Sequence, residues 1–249
     1  MYCYIVDSFL TEKKNISVMH QIENRIMQLG INGYLERVTM LKSIPDMVAA
    51  AVKRGAKTIV AIGNDDTVSK IISVLPRHKL TFGIIPVGEP QSIARHLGIP
   101  MGVAACDTIS ARITTKIDLG KANNTYFIGS LHIPDHTSVS MKVGSYTISP
   151  TTTTSTIQIY NIDGAVAHSN PTDGKLEAVI HDIPTRSGLF GMRKTYTRAS
   201  VFPITKLTIT AETASVPVMA DGQLLVKTPV TVEVVPQSLK VIVGKQRMF

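Results

Sequence analysis

Gly63, Asn64, Asp65, Asp66 and Thr67 stand between an apolar run at 59–62 and a segment with Val68, Ile71, Ile72 and Leu75 at helical spacing. This pattern predicts a strand, a tight turn and a helix N-terminus. In that geometry backbone N–H groups and the helix dipole can hold a phosphate. Asp65 and Asp66 bring two carboxylates to the same turn. A carboxylate at about 4 Å repels a phosphate by roughly 1–4 kcal/mol. A bridging magnesium ion would reverse that sign. The alternative reading is local: Asp65, Asp66 and Thr67 cap and charge the helix.

A second turn follows the apolar segment 82–87, where Gly88, Glu89 and Pro90 lead into a helix over 91–97. Pro90 suits the first helical position. The alternative here is a connection that binds nothing. Near the C-terminus, Asp221-Gly222 offers a carboxylate that could take a proton. Asp-Gly is equally a hairpin turn in its own right.

Elements that would position these groups follow from the patterning. Tyr2–Val6 reads as a buried strand, and the helical spacing of Val18, Met19, Ile22, Ile26 and Met27 ends at Gly30. A second strand is expected over 33–40. A helix over 44–54 has Ser43 as N-cap and Gly55 as its stop. Strands alternating with helices imply a parallel sheet with helices on both faces. After Leu119 the pattern turns to period two, rich in Thr, Val and Ile. Strands are expected over 125–133, 138–143, 145–148, 155–160, 164–168, 175–182, 195–201, 206–211, 216–220, 230–235 and 240–243. Asp163-Gly164, Asp173-Gly174 and Asp221-Gly222 punctuate them. The expected fold class is therefore α/β: an N-terminal parallel-sheet nucleotide-binding-type domain, 1–118, plus a C-terminal all-β sandwich domain, 119–249, whose last residues pack back on the first.

The chain has 249 residues, 44% apolar and 18% charged, enough for a filled core. A formal charge of +8 favours anionic partners. Aromatics are 5%, tryptophan is absent, and no basic stripe with interleaved aromatics occurs, so nucleic acid is not an expected partner. Arg186, Arg193, Lys194 and Arg198 flank Leu189, Phe190 and Met192, either as contacts to an anionic lipid or membrane surface or as a solvated loop. Threonine-rich strand edges make a homodimer the candidate assembly. Cys3 and Cys106 read as buried apolar residues without metal-ligand spacing. His78 and His96 read as surface residues at helix ends. No signal peptide or membrane-spanning run is evident, so a cytoplasmic location is expected.

These residues resemble a known family, the diacylglycerol kinase catalytic domain of bacterial lipid kinases and sphingosine kinases. VAIGNDDTVSKII at 60–72 is similar to its Gly-Gly-Asp-Gly-Thr segment. FGIIPVGEPQSIARHLGIP at 82–100 resembles its Pro-x-Gly-Thr-x-Asn-Asp-x-Ala motif with the following Leu-Gly-Ile-Pro. KIDLGKANNTYFIGS at 116–130, DGKLEAVI at 173–180 and the run 220–243 look like strands of the family's second domain. The resemblance implies the fold of the NAD kinase-like superfamily, with ATP and Mg²⁺ as cofactors in an active member. It assigns nucleotide contact to Gly63, Asn64, Asp65, Asp66, Thr67, Gly88 and Glu89, and the role of general base to Asp221. It assigns no metal ligand.

Departures from the family pattern touch both turns. Asn64 and Asp66 stand where the family has glycine, and Glu89, Gln91 and Ser92 replace its threonine, asparagine and aspartate. Gln223 replaces a carboxylate and cannot accept a proton. The family's acceptor-pocket segment after 127–130 has no counterpart, and Asp7-Ser8-Phe9-Leu10 stands in place of its first loop. The expected function is a lipid-kinase-like protein with a degenerate phosphate-binding motif, weak or no kinase activity and a binding role. The alternative is an active ATP-dependent kinase for the hydroxyl of a lipid or other small molecule.

Overall fold

Parallel strands buried on both faces read as continuous apolar runs, and YCYIV, TIVAIG and TFGIIP form such strands here. The computed structural model describes residues 1–39, 41–133, 139–149, 155–162, 169–182, 199–212 and 215–249. The first half runs β1 (Tyr2–Val6), α1 (Ile16–Gln28), β2 (Gly33–Arg37), α2 (Ile44–Lys53), β3 (Thr58–Gly63), α3 (Asp65–Ile72), β4 (Thr81–Pro86), α4 (Ser92–His96), α5 (Ala105–Ala111) and β5 (Thr114–Ala122). The second half is all strand: β6 (Thr125–Phe127), β7 (Ser130–Ile133), β8 (Val139–Val143), β9 (Tyr146–Ile148), β10 (Ser155–Tyr160), β11 (Leu176–Asp182), β12 (Ala199–Ile204), β13 (Lys206–Ala211), β14 (Pro217–Ala220), β15 (Leu224–Lys227) and β16 (Val230–Ile242).

One ten-stranded sheet has the order β2-β1-β3-β4-β16-β13-β8-β9, with β5 pairing β16 and β6. Its first five strands are parallel, and the rest of its pairings are antiparallel. A six-stranded antiparallel sheet, β12-β11-β10-β7-β14-β15, faces its second half. Leu131, Ile157, Ile159, Leu176 and Val218 of one sheet meet Met141, Leu207, Ile209 and Val232 of the other, which closes a sandwich core. The other core lies around β1, β3 and β4, beneath the helices. Residues 118 and 119 both lie within β5, a continuous strand.

Several local expectations are met by cap geometry. The Ser43 side chain accepts from the Asp46 N–H at the start of α2, while Gly30 and Gly55 take positive φ after α1 and α2. Both cysteines are buried. Others are corrected. His96 is only 6% exposed, because the C-terminal segment covers it: the Met248 N–H donates to its carbonyl at 2.9 Å. The stretches 230–235 and 240–243 are one strand, β16, with a bulge between Val235 and Leu239 that accommodates Pro236. The stretch 125–133 is two strands, β6 and β7, broken at Ile128 and Gly129. Helix α5 and strand β15 were not anticipated. The expected strand at 164–168, the turn Asp163-Gly164, the threonine run 151–154, and Arg186, Arg193, Lys194 and Arg198 lie outside the described residues.

Candidate functional site

Chain order puts β2 and β3 on opposite sides of β1. The crevice beyond the carboxyl ends of β1 and β3 is thus a topological switch point, where open α/β sheets bind ligands. Asp7 follows β1 there, and the turn Gly63–Thr67 follows β3. The Thr67 hydroxyl donates to Asp7 Oδ2 at 2.5 Å, directly across that crevice. The second Asp7 oxygen accepts from the Phe9 N–H at 3.2 Å and caps the short helix Ser8–Thr11. Gly63 permits this closure: a Cβ on it would lie 2.3 Å from Thr67 Oγ1 and 3.1 Å from Asp7 Cβ.

The two glycine-bearing turns are joined to each other. Asn64 Nδ2 donates to the Glu89 carbonyl at 3.1 Å, and the Val87 N–H donates to the Gly63 carbonyl at 2.9 Å. The Asp65 N–H donates to the Pro90 carbonyl at 2.8 Å. Asn64 Oδ1 accepts from the Thr67 N–H at 3.3 Å, so Asn64 is the cap of α3. Gly88 takes φ +80 and faces Phe9, whose ring would lie 3.1 Å from an added Cβ. Glu89 Oε1 accepts from Gln91 Nε2 at 2.6 Å. Asp66 is half-buried on the first turn of α3.

Asp65 turns inward. Its Oδ2 accepts from the Ser92 N–H at 2.6 Å and the Ser92 hydroxyl at 2.7 Å, and its Oδ1 accepts from the Ile93 N–H at 3.3 Å. The carboxylate therefore serves as the N-terminal cap of α4, although it sits on α3. Burial pushes its pKa up, opposed by the bonds from Ser92 and Ile93. Asp65→Ala should lower stability by about 2 kcal/mol, because two amides and a hydroxyl lose their acceptor. A urea titration checks this through a lower midpoint at unchanged slope.

Asp221 lies beside Ser69, further along the same helix. It takes φ +50 at the β14–β15 turn. Its Oδ1 accepts from the Gly129 N–H at 2.8 Å and the Ser130 N–H at 3.0 Å, and its Oδ2 from the Ile128 N–H at 3.0 Å. The break between β6 and β7 exists to aim those amides at the carboxylate. Burial raises the Asp221 pKa, and the three amides and the nearby Ser69 hydroxyl act against it. Ser69 lies one turn along α3 from Asp65, and its buried hydroxyl makes no hydrogen bond of ordinary geometry among the described residues.

Sequence reasoning assigned Asp7 no role and missed Ser69, Phe9 and the 128–130 amides; the only signal available was the replacement of a glycine-bearing loop by Asp7-Ser8. A further buried carboxylate, Asp118, accepts from the Gly174 and Gln237 N–H groups at 2.7 Å and ties the sandwich to β16.

The amides of Asp65 and Thr67 have protein acceptors, and the Asp65 and Asp221 carboxylates are hydrogen-bonded to Ser92, Ile93 and the amides of 128–130. Among the described residues no group of three acidic, histidine or cysteine side chains could hold a metal ion. A hollow of about 210 Å³ beside α1, lined by Val6, Leu10, Met19, His20 and Arg37 among others, is smaller than ordinary nucleotide-sized pockets. No helix among the described residues is long and apolar enough to cross a membrane.

Residues 2–122 match the family described as diacylglycerol kinase catalytic domain. A diacylglycerol kinase of Bacillus subtilis (strain 168) is 30% identical over 112 residues, which cover 43% of this chain and 37% of that protein. One from Staphylococcus haemolyticus (strain JCSC1435) is 37% identical over 81 residues, 31% of this chain and 24% of that protein. In both cases the match spans well under half of the relative's length. The crystal structure of a diacylglycerol kinase from Bacillus anthracis str. Sterne superposes with a TM-score of 0.80 at 16% identity, covering 99% of this chain and 98% of that one. That likeness shows the same fold.

Proposed function

We propose that this chain, whose residues 2–122 match the diacylglycerol kinase catalytic domain family, is a member whose phosphate cradle is closed by its own side chains, with a binding role and weak or no phosphotransfer. Phosphoryl transfer needs a nucleotide cradle, a divalent metal and a base for the acceptor. One observation carries the reading: the turn after β3 is bonded shut on both sides, to Asp7 through Thr67 and to the turn after β4 through Asn64 and Asp65. A triphosphate entering there would have to break those bonds and approach the Asp66 carboxylate. Asp221 acting as a base would do so while three amides compete for its lone pairs and lower its basicity.

Calorimetry of the full chain with ATP–Mg²⁺ should give no saturable heat up to about 1 mM. Under the same conditions, labelled ATP and diacylglycerol in mixed micelles should give no phosphatidate above background, beside a related diacylglycerol kinase as positive control. Micromolar affinity, or turnover of diacylglycerol or another alcohol, would overturn the proposal in favour of an active kinase.

A further inference from the structure

The opposite rim of the parallel sheet carries a separate cationic hollow. The register aligns Tyr2, Thr58, Thr81 and Lys240 across β1, β3, β4 and β16. Aligned residues of a sheet project to the same face, so these four form one row at the rim where β1, β3 and β4 begin. Lys57, Arg112 and Thr114 complete a hollow of about 250 Å³ around the row. Arg112 is fixed in place: its Nε donates to the Tyr2 hydroxyl at 2.8 Å and its guanidinium lies 5.4 Å from the centre of the Tyr2 ring. Among the described residues its two terminal nitrogens have no hydrogen-bond acceptor.

Two further features fit a ligand. Among the described residues no carboxylate lines the hollow, and none of Lys57, Arg112, Lys116 and Lys240 is neutralised by an ion pair. Lys116 also stands directly opposite Lys240 in the β5–β16 pairing. Like charges facing each other across a ladder destabilise it unless an anion lies between them. We propose that this hollow binds a phosphate-bearing anion, with Lys57, Lys240 and the Arg112 fork taking the charge and the threonine hydroxyls completing the contacts. Its size suits a phosphate group with little attached. Two sources present that chemistry: a free phosphate or small phosphomonoester, and the headgroup of an acidic lipid. The site lies at the far end of the strands from Gly63 and does not depend on what the turn after β3 binds.

The test uses the full chain, the double variant Lys57→Ala/Lys240→Ala, and Lys13→Ala/Lys14→Ala, which removes the same two charges at the other rim. Binding of inorganic phosphate is followed by thermal shift at constant ionic strength against chloride. Binding to vesicles is followed by sedimentation, comparing phosphatidate in phosphatidylcholine with phosphatidylcholine alone. The wild type and the Lys13/Lys14 variant should respond to phosphate, and the Lys57/Lys240 variant should bind it roughly tenfold more weakly or not at all. A phosphate response alone assigns the site to soluble phosphates; phosphatidate binding lost in the same variant assigns it to lipid headgroups. No response of the wild type in either arm, or equal loss in both double variants, would overturn the proposal.

Discussion

Asp221→Ala should lower the stability of the fold by about 4 kcal/mol, a fall in Tm of roughly 8–16 °C for a chain of this size. The carboxylate is the acceptor for the amides of Ile128, Gly129 and Ser130. Removing it leaves three partly buried donors without a partner, each worth about 1–3 kcal/mol where water cannot replace the lost acceptor. Alanine also fits poorly at φ +50, where aspartate and asparagine are tolerated. Asp221→Asn isolates the charge: it keeps the backbone preference and one acceptor oxygen but turns an N–H₂ group towards a donor. It should lose about half as much. Hydrogen exchange gives an independent readout, since the amides of 128–130 should lose protection in both variants. Were Asp221 only a base, Asp221→Asn would leave the melting temperature and those amides unchanged.

The same residue shows what a sequence can and cannot display. Asp221-Gly222 was legible as a hairpin turn, because that dipeptide suits the backbone of β14–β15 whatever surrounds it. Its carboxylate contacts were not, since they lie more than ninety positions away. Asp65 makes the same point. The run 58–75 was legible as strand, turn and helix because burial of β3 and the spacing of Val68, Ile71 and Ile72 are local facts. That Asp65 would cap α4 rather than face a ligand depended on how the turn after β4 comes back over it. Helix α5 was hidden by its composition: ACDTISA has two serine or threonine residues, a β-branched isoleucine and few charges, a weak helix former held by the burial of Ala105, Cys106 and Ile109. Strand β16 looked like two strands because Pro236 and Gln237 interrupt the alternation. The bulge that absorbs them has Gln237 at φ +48, with its N–H bonded to Asp118. His96 read as a surface residue because a helix end is usually exposed, and only the path of 244–249 covers it.

Glu177 sets a pH dependence of the opposite sign to most carboxylates. Its neighbours Leu176 and Ala178 point into the sandwich core, so alternation sends Glu177 to the other face of β11, yet it is only 7% exposed. Its Oε2 has no hydrogen-bond partner among the described residues. Burial raises its pKa from 4.5 to about 7, helped by the charge of Asp173 and opposed by its own backbone N–H and by Lys175. Between those two values the unfolded chain releases this proton and the folded chain keeps it. Stability from this group is therefore complete below about pH 4.5 and is lost as pH rises through about 7. The full span is worth about 3 kcal/mol, less whatever solvent reaches the carboxyl. Glu177→Gln is neutral at every pH and close in shape to the protonated acid. It should match the wild type within about 1 kcal/mol at pH 4 and exceed it by about 2–3 kcal/mol at pH 8. The difference between the two urea-unfolding profiles cancels the contributions of Glu36 and Glu233, whose lysine partners lower their pKa values and give the opposite slope in acid. A flat difference across pH 4–8 would mean that the Glu177 carboxyl reaches water or an acceptor that its position on β11 does not reveal.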